Sequence, residues 1–442
     1  MILTNSVLVA IASVLGLALL RVNVVIALTA GAILGGTLGG FTVPKTLEIF
    51  ASGLGGGANI ALSYGILGAF AAAVAHSGVP IWLSQKVIHF VTSRESHRRL
   101  HLKALIFIFI GLIAIASKNI LPVHIAFIPI LIPPLLEVFA ELQIDRRLLS
   151  NLLTFGLIFA YMLIPYGFGS IFLDSILREN LLQYGVSVSL KEIVLGMALP
   201  SLGMVVGLVL SLYRYRKPRH YDRSKTRSVH ATEEEPCTRW DIIVSGLAIL
   251  GTLIVQIILE NTIASAMTGF CIFTLGGVVG WHESDNVVTQ GFKMMSLIAF
   301  IMIAASGFSA VLQATGDTQA LVSWLTEAVH GSPFLGALGM LLVGLLITMG
   351  IGSSFSTVPI VAGICVPLCV ELGFSPLATV CLIGATAVLG DAGSPVSDTM
   401  LGVTSGLNAD GQHDHIWDSC VPAFVYFNLP VMGFALIGAM CL

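Results

Sequence analysis

The residues best placed to do chemistry are carboxylates and hydroxyls that recur in one pattern. Residues 169–177 read Gly-Ser-Ile-Phe-Leu-Asp-Ser-Ile-Leu, and 224 positions later residues 393–401 read Gly-Ser-Pro-Val-Ser-Asp-Thr-Met-Leu. The shared G-S-x-x-x-D-[S/T]-x-L sets Asp174 and Asp398 among Gly169, Ser170 and Ser175 on one side and Gly393, Ser394 and Thr399 on the other. Gly390-Asp391 adds a second carboxylate to the later copy only. Two glycines and Pro395 make continuous helix unfavourable there, and the freed carbonyls join the carboxylates and hydroxyls as hard oxygen ligands for Na⁺ or as a proton carrier. The competing role for one of these aspartates is to cap the helix that follows.

Such residues are costly where they stand. The chain is 56% apolar and 10% charged, with a mean hydropathy of +0.95, far outside soluble usage. It reads as an all-α polytopic membrane protein. A charge near the bilayer centre costs at least about 2.5–3.5 kcal/mol, so each one that remains needs a partner or a purpose. Paired short apolar runs flank polar breaks at Ser117-Lys118-Asn119 and at Gly352-Ser353-Ser354. These predict re-entrant hairpins, because irregular backbone is tolerated at membrane depth only where protein encloses it or a wet cavity adjoins it. Lys118, with Asn119, is positioned to receive a substrate carboxylate; a snorkelling or ion-paired lysine is the alternative. Ser353, Ser354, Ser356 and Thr357 form an uncharged hydroxyl-rich tip suited to Na⁺ or to a substrate, or to helix capping.

Further echoes extend the repeat: Leu34-Gly35-Gly36 with Leu275-Gly276-Gly277, and Ala69–Ala72 with Gly307–Ala310. An amphipathic stretch with a Trp follows in each half, at Ile81–Val91 and Ala320–Val329. The predicted organisation is a first transmembrane repeat over 1–213, a hydrophilic linker over 214–239 and a second repeat over 240–442. Each repeat holds about five spanning helices, a re-entrant hairpin and a broken helix, at Gly169–Ser175 and Gly390–Thr399. The fall in offset places about 14 extra residues in the first half, near Glu137–Arg147. Twenty of the 21 Lys and Arg lie at or before Arg239, which makes Lys86–Lys103, Arg146-Arg147 and the linker cytoplasmic. The odd number of crossings then inverts the second half relative to the first.

The linker reads as a solvated joint against anionic lipid, with no folded domain to bind nucleic acid. The seven cysteines fall mostly in apolar runs and predict neither disulfides nor zinc. His124 is read as a packing residue. Asn408–Asp418 imitates a metal site through His413, Asp414 and His415, but its spacing favours a solvated loop closing over the broken helix. No Walker, nucleophile-elbow or zinc-protease motif is present, so neither an enzyme nor a primary pump is expected.

The Gly390-Asp391, Ser394-Pro395 and Ser397-Asp398-Thr399 pattern resembles the signature of NhaC-type sodium/proton antiporters. The stretch Gly-Leu-Asn-Ala-Asp-Gly-Gln-His-Asp-His-Ile-Trp-Asp, residues 406–418, resembles a branch that includes histidine permeases of the YuiF kind. The likeness covers essentially the whole chain. It implies the ion-transporter superfamily fold, a homodimer and elevator-like motion in the bacterial inner membrane. It also implies Na⁺ or H⁺ as coupling ion, no other cofactor, and either uptake of a small amino acid such as histidine or plain Na⁺/H⁺ exchange.

Overall fold

A computed structural model describes residues 5–20, 22–79, 82, 97–119, 124–166, 168–228, 237–259, 261–317, 332–352 and 354–442. Among them there are helices and loops and no strand. The first half holds α1 (Ser6–Leu19), α2 (Val24–Leu38), α3 (Val43–His76), α4 (His97–Asn119), α5 (His124–Glu141) and α6 (Arg146–Leu163). Then come α7 (168–183), which is π-helical over Ile171–Arg178, and α8 (Leu190–Arg214). A short α9 (Arg223–Ser228) lies in the linker. The second half holds α10 (Arg239–Leu259), α11 (Thr262–Leu275), α12 (Ser284–Thr315), α13 (Pro333–Ile351), α14 (Ser354–Glu371), α15 (Pro376–Val388), α16 (Asp398–Leu407) and α17 (His415–Cys441).

By length and composition α8, α10, α13 and α17 can each cross a membrane; the two apolar limbs of α3, bent by 42°, pass the same test together, as one broken span or a re-entrant pair. Most of the other helices are shorter apolar segments. The chain is therefore a multi-pass membrane protein, as its apolar runs predict. Helix starts follow local capping chemistry. Asn5, Asp145, Ser375 and Ser397 each accept a hydrogen bond from the first turn of the helix they precede, and Ser189 with Glu192 closes a capping box on α8.

Element order is the same in α1–α8 and α10–α17. The connections before α6 and α15 match in detail: residues 142–145 and 372–375 are equally long, and each holds one left-handed residue, Gln143 (φ 52°) or Gly373 (φ 75°). The extra first-half residues are therefore not in the 137–147 region. α5 and α14 start 230 residues apart (124 to 354), and so do α6 and α15 (146 to 376). Nine of the extra residues lie in two helices: α4 has 23 residues against 19 in α13, and α6 has 18 against 13 in α15.

The long helices α3 and α12 run antiparallel in close contact, with Gly68 against Gly291 and Gly53 against Ala310. α15 is buried from Ala378 to Val388 and is enclosed by α8, α13, α14 and α17. This wrapped helix carries the second-half crossover.

The linker is not a free joint. Its residues 219–226 fasten the start of α6 to the loop after α16. Arg146, with no exposed side-chain surface, makes a bidentate pair with Asp410 at 2.5 and 2.6 Å and donates to Leu407 O at 3.0 Å. Thr226 Oγ1 and Gln412 Nε2 donate to the same carboxylate at 2.9 and 2.8 Å. Tyr221 lies under the Arg146 guanidinium, 4.3 Å from it to the ring centroid, while its hydroxyl accepts from Arg146 N at 2.9 Å. Arg219 bridges Asp418 (2.8 Å) and Asp145 (3.7 Å). Burial opposes ionisation of Asp410, yet the Arg146 hydrogen bonds and charge overcome it and hold the carboxyl below the usual range. Arg146 and the linker thus occupy one end of the bundle.

Candidate functional site

α15 stops at Val388 and α16 starts at Asp398, leaving nine buried residues of non-helical backbone, 389–397, between them. Gly393 takes φ 98° and sits against Phe424 N, where a Cβ would come within 2.8 Å, so only glycine makes this turn. Gly352, at the C-cap of α13 with φ 71°, packs as tightly on Val396. The freed backbone groups are accounted for by side chains. Ser397 Oγ donates to Asp391 O (2.9 Å), Ser394 Oγ to Met349 O (2.8 Å), Asn428 Nδ2 to Leu389 O (3.0 Å) and His415 Nε2 to Pro395 O (2.9 Å). These contacts come from three elements and hold the break in one shape.

Asp391 is the buried carboxylate of this crossover, 2% exposed. Tyr161 Oη of α6 donates to its Oδ2 at 2.5 Å and lies 3.1 Å from Ser354 Oγ at the start of α14. Phe172 meets the Tyr161 ring edge-on, with centroids 5.0 Å apart, and fixes its direction. Tyr64 of α3 is fully buried, its hydroxyl has no hydrogen-bond partner among the described residues, and it lies in the field of both Asp398 and Asp391. Asp398 is half-buried at the first position of α16, its Oδ1 accepting from Thr399 N at 2.7 Å. Ser397, not Asp398, caps that helix. Carboxylates, hydroxyls and loosened carbonyls converge here, a donor set for a hard monovalent cation or a proton.

Of the residues singled out by sequence, Asp391, Asp398, Thr399, Ser394, Gly390, Gly393 and Ser354 gather around this crossover. Gly390 packs on Thr348, and Thr357 is buried one turn into α14, its hydroxyl bonded to Ser354 O. The first half differs. Its break includes 164–166, earlier than Gly169–Ser175, because Pro165 ends α6 and the chain is helical again by Phe168. Gly169 and Ser170 are already helical, with Gly169 pressed on Ile164 O. Asp174 pairs with Arg178 at 2.6 Å with a third of its side chain exposed, and Ser175 is exposed. Lys118 and Asn119 end α4. Their side chains and that of Ser356, together with Ser353, 83–91 and 320–329, lie outside the described residues.

The Asn408–Asp418 loop meets the crossover through His415 on Pro395 O; Asn408, Ala409, Gly411 and Asp414 are exposed as expected of a solvated loop, while His413 is buried, 2% exposed. Sequence reasoning missed Tyr161, Tyr64 and Asn428. Their one signal is a polar group alone inside an apolar run.

Residues 152–438 match the model of the Na⁺/H⁺ antiporter family, and residues 5–91 match a second model described as Na⁺-H⁺ antiporter family. The chain belongs to the Na⁺/H⁺ antiporter family. Within it, the chain is 50% identical to an uncharacterised membrane protein of Vibrio parahaemolyticus, over 99% of this chain and all of that one. It is 47% identical to the proposed amino acid transporter YuiF of Bacillus subtilis, again over 99% and 100%. The Na⁺/H⁺ antiporter NhaC of Alkalihalophilus pseudofirmus is 28% identical over 36% of this chain and 34% of its own. The family is one of secondary transporters and not of enzymes, and ions are its substrates in the membrane. The antiporter-family match spans α15, the crossover and α16.

Proposed function

We propose that this secondary transporter moves a small, histidine-like amino acid, coupled to Na⁺ or H⁺, through one central site at the α15–α16 crossover. The observation that carries it is Asp391, a carboxylate almost without solvent access, in broken backbone, held by Tyr161 from α6, whose hydroxyl also meets Ser354 of α14. A buried carboxylate in an intramembrane break is retained for ion or proton handling. Asp398, Thr399 and Ser394 complete the cation side, and Lys118 at the end of α4 receives the substrate carboxylate. Asp174, paired with Arg178, stands outside this set. The two halves, 1–213 and 240–442, work as inverted repeats about the site, a reading supported by their common element order. The amino-acid substrate draws on the printed name of the Bacillus relative at 47% identity.

A second reading, Na⁺/H⁺ exchange with no organic substrate, draws on the family itself and on the NhaC relative. Purified protein in liposomes under a Na⁺ or pH gradient separates the two. Accumulation of labelled histidine, or of another member of an amino-acid panel, establishes symport. Proton efflux on Na⁺ entry without any such uptake establishes the exchanger. If neither gradient moves ions or amino acids, both readings fail.

A further inference from the structure

Four side chains form a hydrogen-bonded line that the transport site does not use. His413 Nε2 lies 2.7 Å from Ser419 Oγ, Ser419 Oγ 3.1 Å from Thr404 Oγ1, and Thr404 Oγ1 2.8 Å from His415 Nδ1. At its inner end His415 Nε2 meets Pro395 O at 2.9 Å, on the crossover between Asp391 and Asp398. His413, Ser419 and Thr404 are all buried.

The donors along this line can be assigned from valence. Pro395 O only accepts, so His415 Nε2 carries hydrogen. Ser150 Oγ donates to Ser419 Oγ at 3.0 Å, which leaves the single Ser419 hydrogen to the line. Two polarities then satisfy every contact. In one, His413 Nε2–H donates to Ser419, Ser419 to Thr404, and Thr404 to His415 Nδ1. In the other, His415 Nδ1–H donates to Thr404, Thr404 to Ser419, and Ser419 to His413 Nε2. Starting with His413 protonated on both nitrogens, the change moves three protons by one hydrogen bond each. It leaves His413 neutral with Nδ1–H and makes His415 an imidazolium, so one charge crosses the line and no atom is gained or lost.

A clamp on Pro395 would need only His415 and Thr404. The line instead continues to a second imidazole whose Nδ1 is buried and has no partner among the described residues. The charged groups that act on His413 are Asp418, Arg146 and Arg219, with His415 beyond. Those facing His415 are Asp414 and the Cys420 thiol, 3.7 Å from Nε2. Asp418, whose charge acts on His413, is 12% exposed and pairs with Arg219 of the linker.

We propose that His413, Ser419, Thr404 and His415 conduct protons between the linker-side surface and the crossover that bears Asp391. The inference rests on the crossover being the coupling-ion site. A proton enters at His413 Nδ1 from water beside Asp418 and leaves from His415 Nε2 to water or a crossover carboxylate when the Pro395 bond opens. Delivery is thereby tied to movement of the crossover.

Thr404→Val and Ser419→Ala interrupt the line with little change of shape, and Thr404→Ser restores it. Each variant in liposomes is followed by two readouts. One is dye-reported proton flux under a Na⁺ or histidine gradient. The other is exchange of labelled Na⁺ and labelled histidine at equal pH, which needs the site but no net proton delivery. The expected result is proton flux lowered about tenfold or more in the interrupting variants, exchange unchanged, and flux recovered in Thr404→Ser. Full proton flux in both interrupting variants overturns the relay, as does a parallel loss of exchange, which would mark a structural clamp. Wild-type exchange with no proton movement also overturns it while leaving a Na⁺-only carrier standing. Wild-type protein showing neither would remove the transport reading and the relay with it.

Discussion

The clasp between the halves gives a prediction whose size follows from burial. Asp410 accepts two guanidinium hydrogen bonds from Arg146, and neither side chain has exposed surface. Asp410→Asn keeps the shape but turns one acceptor into a donor and leaves the Arg146 cation unneutralised. Removing one partner of a buried ion pair costs about 3–5 kcal/mol. The loss falls on the local contact that docks α9, because Thr226 Oγ1 and Gln412 Nε2 bind the same carboxylate. At about 1.4 kcal/mol per tenfold, opening of the linker should become roughly 100- to 4,000-fold more frequent. Limited trypsin digestion reads this directly at Arg223 and Lys225, where cleavage follows the open population when reclosing is fast. The double variant Arg146→Met with Asp410→Leu, which buries no charge, should return cleavage towards the wild-type rate. Unchanged cleavage in Asp410→Asn would show that the pair does not hold the linker.

Three further outcomes are expected. Tyr161→Phe removes a hydrogen bond to the Asp391 carboxylate, worth about 1.5–3 kcal/mol, so apparent affinity for the coupling ion should fall roughly 10- to 150-fold with folded yield unchanged; an unaltered affinity by titrated transport would separate Tyr161 from the site. Gly393→Ala forces a side chain into φ 98° against Phe424 N, a strain of about 1–3 kcal/mol before the clash, and should reduce the monodisperse fraction on size exclusion; wild-type behaviour there would contradict the crossover geometry. Burial holds His413 well below the ordinary imidazole range, so the unfolded chain binds this proton at a higher pH than the folded one and the folded protein carries it only in passing. The stability it contributes is present above about pH 6.5 and lost as pH falls below it. Melting curves from neutral to acid pH should therefore flatten in His413→Gln, and an unchanged slope would count against a buried neutral His413.

Much of the crossover was legible before the structure. Gly390, Gly393 and Pro395 are residues whose backbone preferences exclude continuous helix, and Ser397 is a conventional cap, so the break and its two ends follow from local chemistry. The first-half motif misled because its likeness is one of letters and not of position. Without a proline after Ser170, the chain re-enters helix at Phe168 and Asp174 lies inside it. What the sequence could not supply is which distant side chain faces Asp391. Tyr161 is 230 residues away, and only the packing of α6 on the crossover brings its hydroxyl there. The linker failed for the same reason. Its charge reads as solvation, yet Arg219 and Thr226 find partners nearly 200 residues on, in a loop that composition also marks as polar, and Tyr221 finds one 75 residues back at Arg146.

The central claim is that Asp391 carries the coupling ion. The most direct measurement is gradient-driven transport by Asp391→Asn in liposomes, beside an unfolding curve of the same preparation. Asn keeps the size of the side chain, so the protein should fold and melt close to wild type while losing ion-coupled flux. Wild-type flux in a well-folded Asp391→Asn protein would contradict the assignment and move the site away from the crossover.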